Sequence, residues 1–155
     1  MVMSILWSLS LFLSLVFQAG SPAGAPGSAL TPTEQLKLEK EDKIDGRIKI
    51  YQSASKRIQR TIEEAVGKDD FKAVPQNLRL WVSLLSDSLK DIGSNLKTKK
   101  KSRALIKFEI QVRKEILATQ NYKIKAPIDQ QDLFESCLEQ AENVRSKFVE
   151  LLFGH

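Results

Sequence analysis

The sequence contains almost none of the side chains that catalytic and metal sites most often use. Cys137 is its single cysteine, and its single histidine, His155, is the last residue. Because chain ends fray, this histidine is poorly placed to act as a general base, and neither a Ser-His-Asp nor a Cys-His arrangement is expected. The Cys/His clusters of zinc sites and the Glu-x-x-His pairs of dimetal helical proteins are also missing. We therefore predict a protein that is not an enzyme and that has no metal and no cofactor.

Few other residues are candidates for a catalytic or ligand-binding site. Glu109 and Glu115 are six residues apart, which places them about 120° apart on a helix, so they do not form an acid–base pair. The sequence has no glycine-rich loop of the kind that holds phosphates in nucleotide-binding enzymes. One cysteine cannot form an intramolecular disulfide, so Cys137 is either a reactive or intermolecularly bonded thiol or a small buried apolar residue. Its place on the apolar stripe of a predicted helix favours burial.

The first 17 residues contain no charge and are mostly Leu, Phe, Val and Ile, and small residues follow them. An apolar run of this length followed by small residues is typical of a secretory signal. We predict a signal peptide over residues 1–23, cleaved after Ala23 or less favourably after Ala29, and a flexible linker over 24–33. The protein is then exported to the periplasm or the extracellular space. No Lys or Arg precedes the apolar run, so the alternative is an uncleaved N-terminal segment that anchors the protein in the membrane.

Glycine and proline are rare beyond the linker, where only four glycines and two prolines occur. The apolar residues there recur every three or four positions, which predicts amphipathic helices. The four apolar stripes are Ile44, Ile48, Tyr51, Ser55, Ile58, Ile62 and Ala65; Val74, Leu78, Trp81, Leu85, Leu89 and Ile92; Ala104, Leu105, Phe108, Val112, Ile116 and Thr119; and Phe134, Cys137, Ala141, Val144, Phe148 and Leu151. We predict an all-α protein, a single up-down-up-down four-helix bundle over residues 34–155. Residues 34–43 have little stripe, so we expect them to project beyond the core or to fray.

Turn residues mark the ends of these predicted helices. Gly67 is expected to end the first helix, because glycine is common just past a helix C-terminus. Asp69 or Asp70 is the expected cap of the second helix, and Asp129 is the expected cap of the fourth.

A cluster of cations precedes the third predicted helix, and no acidic residue occurs from 96 to 108. This candidate patch for an anionic partner consists of Lys97, Lys99, Lys100, Lys101 and Arg103. Residues 97–125 contain ten basic and two acidic side chains, whereas residues 126–155 contain two basic and six acidic ones. We therefore expect the basic third helix to lie beside an acidic fourth helix.

Two interpretations of the cationic patch remain open. The favoured one is a solvated surface that the neighbouring helix partly neutralises. The alternative is a weak contact with an anionic envelope surface, such as lipid headgroups or an acidic polymer. Nucleic acid is not an expected partner, because no stacking aromatic side chain is interleaved with the cations.

The third predicted helix has a second apolar line formed by Ile106, Ile110 and Leu117. It lies roughly 100–140° from the main stripe at 100° per residue. A surface helix of a four-helix bundle needs one stripe only. The second line predicts either deep burial or an interface with another chain, which is a protein partner or a second copy of this one.

Several segments together resemble a known type of protein. Residues 101–114, followed by Pro127 and by a helix that begins near Phe134 and ends in Leu152-Phe153-Gly154, are similar to a group of uncharacterised exported bacterial α-helical proteins. The resemblance covers residues 43–155. It implies bacterial export and a helical fold, and it implies no activity and no site residues.

These observations favour a small exported helical-bundle module of the bacterial cell envelope, with an interaction or structural role and no catalysis. The alternative is a periplasmic ligand-binding or sensor bundle that holds an apolar or anionic small molecule between its helices.

Overall fold

The computed structural model describes residues 27–96 and 102–154. In these two ranges the chain forms five α-helices and one short 3-10 turn, and it forms no strand. The elements are α1 (Pro32–Lys40), α2 (Ile44–Gly67), α3 (Val74–Asn95), α4 (Arg103–Lys125), the 3-10 turn (Ile128–Gln130) and α5 (Gln131–Phe153). The prediction of an all-α protein is confirmed. The predicted signal peptide, residues 1–23, lies outside the described residues.

A separate short helix, α1, precedes the four long ones. Thr31 Oγ1 accepts a hydrogen bond from the Glu34 amide, and the Glu34 carboxylate accepts one from the Thr31 amide, so the two residues form a capping box. Leu38 of α1 is buried, and α1 packs against α2. The expectation that residues 34–43 project or fray is therefore wrong at α1. Ala29, within the predicted 24–33 linker, is also buried.

The helix ends agree with the sequence at glycines and differ at the predicted aspartate caps. Gly67 is the last residue of α2, as predicted. The prediction of Asp69 or Asp70 as a cap is wrong, because α3 begins only at Val74 and no side chain caps it. Proline in the first turn of α3 fixes its start there. Asp129 is likewise not a helix cap, because it lies inside the 3-10 turn that precedes α5.

The four long helices form a ring of contacts around one core. The helix α2 packs on α3 and α4, and α5 packs on α3 and α4, so α3 and α4 lie at opposite corners. The expectation that consecutive helices are neighbours is therefore correct for α2/α3 and α4/α5 and wrong for α3/α4.

Side-chain contacts fix the helix directions. Arg47 near the start of α2 pairs with Asp91 near the end of α3, so these helices are antiparallel. Ser55 bonds Glu115 and Gln59 bonds Thr119, a constant offset that makes α2 and α4 parallel.

The predicted stripes form the core. Every stripe residue is buried or partly buried, because the 3.6-residue helical period puts these positions on one face. Trp81 and Phe108 are 0% exposed, and the Phe108 and Phe148 ring centroids are 5.3 Å apart. Cys137 is buried, with its thiol free, as the apolar interpretation predicted. Within the described ranges, no helix is long and apolar enough to span a bilayer.

Candidate functional site

Four of the five residues of the predicted cationic patch lie outside the described residues; they are Lys97, Lys99, Lys100 and Lys101. Arg103, the first residue of α4, is exposed. Ser102 caps α4 by accepting a hydrogen bond from the Leu105 amide, and its hydroxyl donates to Asp45 at 2.8 Å. Arg103 therefore lies at the end of the structure where α2 and α4 both begin.

The second apolar line of α4 is divided between core edge and solvent. Ile106 is partly buried and packs against the core. Ile110 and Leu117 are 41% and 56% exposed, and Ile124, seven residues further on, is 81% exposed. We call Ile110, Leu117 and Ile124 the outer α4 stripe. A seven-residue spacing keeps these three side chains on one side of the helix.

Lysines flank the outer α4 stripe. Lys107, Lys114 and Lys125 are exposed and occur three residues before Ile110, three before Leu117 and one after Ile124. None of the three forms an ion pair with an acidic side chain among the residues of the described ranges. The outward side of α4 thus combines exposed apolar groups with unneutralised positive charge.

Each of the two sides of α4 that contact a neighbouring helix contains a buried glutamate with its own hydrogen-bond partners. Toward α5, the buried Glu109 carboxylate accepts hydrogen bonds from Arg113 at 2.7 Å and from Arg145 of α5 at 2.9 Å. Burial alone would raise the pKa of Glu109, but the two guanidinium groups outweigh it, so its pKa lies below the usual range. Lys123 of α4 also pairs with Glu135 of α5, which agrees with the expected basic–acidic pairing of these helices.

Toward α2, Glu115 joins three helices from inside the core. It is 7% exposed, and its Oε2 accepts hydrogen bonds from Ser55 Oγ of α2 at 2.6 Å and from Trp81 Nε1 of α3 at 3.0 Å. Its Oε1 accepts one from Gln111 Nε2 at 2.7 Å. Burial raises the pKa of Glu115, and the three donors offset only part of that effect. As predicted, Glu109 and Glu115 are separate groups with separate partners.

A groove of about 360 Å³ runs along the α2/α4 contact, and we call it the α2/α4 groove. Its lining includes Lys56, Gln59, Arg60, Glu63, Gln111, Lys114 and Glu115. Nearer the start of α4 lies a second cavity of about 290 Å³, whose lining includes Lys107 and Ile110. Lys56, Gln111 and Lys114 line both cavities.

Sequence reasoning did not find this groove. Gln59 and Glu115 lie one position away from the apolar stripe residues Ile58 and Ile116, and polar residues at the edge of a stripe are usually solvated. The parallel contact of α2 and α4 buries both. Within the described ranges, no three His, Cys, Asp or Glu side chains converge in a way that could hold a metal ion.

No protein-family model matches the chain, and neither the curated proteins nor the solved structures searched include a match to it.

Proposed function

We propose that the protein is a non-catalytic interaction module of the bacterial cell envelope, exported by a signal peptide over residues 1–23. In this proposal the mature unit is an up-down-up-down four-helix bundle of α2–α5, with α1 packed on α2. The observation that supports an interaction role is the outer α4 stripe. Its three large apolar side chains are 41%, 56% and 81% exposed on one side of one helix.

The chemistry of this side of α4 describes its partner. Aligned exposed apolar side chains are typical of an interaction site, whereas isolated ones are ordinary. Lys107 and Lys114, exposed beside the stripe and without ion pairs in the described ranges, favour a partner with negative charge around an apolar strip. A protein partner of this kind accounts for both features. A second copy of this chain would have to bring lysines against lysines.

Site-specific photocrosslinking in the organism of origin tests the interaction role. A photoreactive residue at Leu117 should give a discrete crosslinked product, and the product should disappear when Ile110→Asp is added to the same chain. The same photoreactive residue at Ser83, exposed on α3, is the matched control. The mass of the product distinguishes a second copy from another protein. Identical product patterns at the two positions would contradict the proposal.

Export has its own test. The protein purified from its native compartment should begin just after Ala23, or after Ala29 as the less favoured site. Membrane-bound protein that retains Met1 would favour the anchored alternative.

A second candidate function is a ligand-binding or sensor bundle. The α2/α4 groove favours it, because two of its lining residues, Gln59 and Gln111, have buried side-chain oxygens without hydrogen-bond partners.

A further inference from the structure

The rim of the α2/α4 groove is cationic. Lys56 and Arg60 of α2 and Lys114 of α4 line it, and all three side chains are exposed. None of them forms an ion pair among the residues that the structure describes. The acids that line the same groove are Glu63 and Glu115. Neither acid forms an ion pair with a rim cation in the described ranges, although Lys56 is close enough to Glu115 to interact with it electrostatically, so the three cations exceed the two acids by one charge.

Two residues that line the groove have buried hydrogen-bond acceptors without donors. Gln59 is 8% exposed, and its Oε1 has no hydrogen-bond partner. The Gln111 Oε1 is also buried without a partner. Buried acceptors of this kind are uncommon, because an unsatisfied polar atom loses its hydration without compensation.

Neighbouring hydrogen bonds fix the orientation of both amides. Thr119 Oγ1 donates to the Glu115 carbonyl oxygen at 2.8 Å, so it can only accept from the Gln59 Nε2 at 3.3 Å. Gln111 Nε2 donates to the Gln52 carbonyl oxygen and to the Glu115 carboxylate. Turning either amide over would break these bonds. The two Oε1 atoms are therefore buried acceptors without a donor.

We infer that the α2/α4 groove binds a small anion that also carries hydroxyl or amino groups, such as a sugar acid or a sugar phosphate. The anionic group contacts Lys56, Arg60 and Lys114, and side-chain movement on binding lets the O–H or N–H groups donate to Gln59 Oε1 and Gln111 Oε1. A volume of about 360 Å³ is at the lower end of the range for small-molecule sites. This inference rests on the second candidate function, gives it a ligand class, and does not depend on the outer α4 stripe.

Binding of matched compounds tests the ligand class. Gluconate is compared with acetate, glucose 6-phosphate with inorganic phosphate, and neutral glucose serves as the uncharged compound. Each is titrated into the protein purified from its native compartment, with amide chemical shifts as the readout. We expect gluconate and glucose 6-phosphate to shift α2 and α4 amides around Gln59 and Gln111, with affinities about tenfold or more above those of the plain anions.

Substitutions then separate the two parts of the groove. Lys56→Gln with Lys114→Gln should weaken the binding of every anion about tenfold or more, whereas Lys72→Gln with Lys90→Gln, the same charge change on exposed residues elsewhere, should not. Gln59→Met retains the length of the side chain and removes the acceptor. It should abolish the preference for gluconate over acetate while leaving acetate binding unchanged.

Three results would overturn the inference. The first is the absence of binding by all five compounds, which would mean that water alone meets the free acceptors. The second is tighter binding of neutral glucose, which would retain a ligand-binding function and exclude the anionic class. The third is equal loss of affinity in the two double-lysine variants, which would show general electrostatic attraction. None of these results bears on crosslinking at Leu117, so the interaction role stands or fails separately.

Discussion

Replacing Glu115 by Ala should destabilise the protein more than most single substitutions do. The change leaves Trp81 Nε1 and Ser55 Oγ without their acceptor, and both residues are 0% exposed. Each buried donor left unpaired costs roughly 1–3 kcal/mol, so the free energy of unfolding should fall by about 2–6 kcal/mol. The lower end applies if the Ser55 hydroxyl turns to a carbonyl oxygen of its own helix. A typical substitution costs about 1 kcal/mol.

Glu115→Gln should be far milder, and it should change how stability depends on pH. The variant retains an oxygen that can accept from Ser55 and Trp81, but an amide nitrogen replaces the oxygen that accepts from Gln111 Nε2. We therefore expect the loss of one hydrogen bond, about 0.5–1.5 kcal/mol. Burial raises the pKa of Glu115 in the folded protein. The folded state therefore binds more protons than the unfolded state above the ordinary glutamate pKa of about 4.3. The contribution of Glu115 to stability falls as pH rises from that value through the folded pKa, and glutamine removes this fall.

Urea unfolding at a series of pH values, followed by far-ultraviolet circular dichroism, measures both effects. Glu139→Gln is the matched control, because it makes the same chemical change at a glutamate that is exposed on α5. The stability of Glu115→Gln relative to the parent should increase with pH, while that of Glu139→Gln should not. Two results would refute the reasoning: an unchanged urea midpoint for Glu115→Ala, or a parent-like pH slope for Glu115→Gln.

Three further predictions concern the core and the α1 junction. Phe108→Ala should lower the free energy of unfolding by about 3–5 kcal/mol in urea titrations, the usual cost of emptying a buried aromatic site, and a loss below about 1 kcal/mol would contradict its packing. Cys137 should react with a thiol reagent only as fast as the protein opens, because burial both blocks access and raises the pKa of its thiol; fast labelling in native buffer would contradict this. Arg47 pairs with Asp91 and donates to two carbonyl oxygens at the end of α1, so Arg47→Met should speed proteolytic cleavage between α1 and α2, and an unchanged cleavage rate would show that α1 is held without it.

The buried faces of the long helices could be predicted from the sequence, because the buried apolar residues recur with the 3.6-residue period of the α-helix. Apolar residues three and four positions apart share a face whatever the helix packs against. The end of α2 at Gly67 was predicted from the frequency of glycine at helix C-termini. At the end of α5, Gly154 adopts a φ of 64°, a left-handed conformation that other residues avoid. The start of α3 was less predictable, since Pro75, which fixes it, lies five and six residues beyond Asp70 and Asp69, the aspartates that resemble caps.

The identity of a helix's neighbours could not be predicted in the same way. A stripe indicates that a face is buried, but it does not indicate which helix buries it. Short connections favour consecutive neighbours, and that expectation fails between α3 and α4. The burial of Gln59 and Glu115 depends on this arrangement, because it is the contact between α2 and α4 that covers them. The periodic spacing of apolar residues in the sequence therefore does not predict the α2/α4 groove.

The arrangement of the helices also has an electrostatic consequence. Together α2 and α4 contain eleven basic and five acidic residues, whereas α5 contains two basic and five acidic ones. If every consecutive pair of helices were adjacent, α2 and α4 would lie at opposite corners, each beside the acidic α5. The observed packing instead places the two basic helices side by side, although like charges on neighbouring surfaces repel. An anion bound between Lys56 and Lys114 would offset that repulsion, so its binding should stabilise the fold as well as occupy the groove.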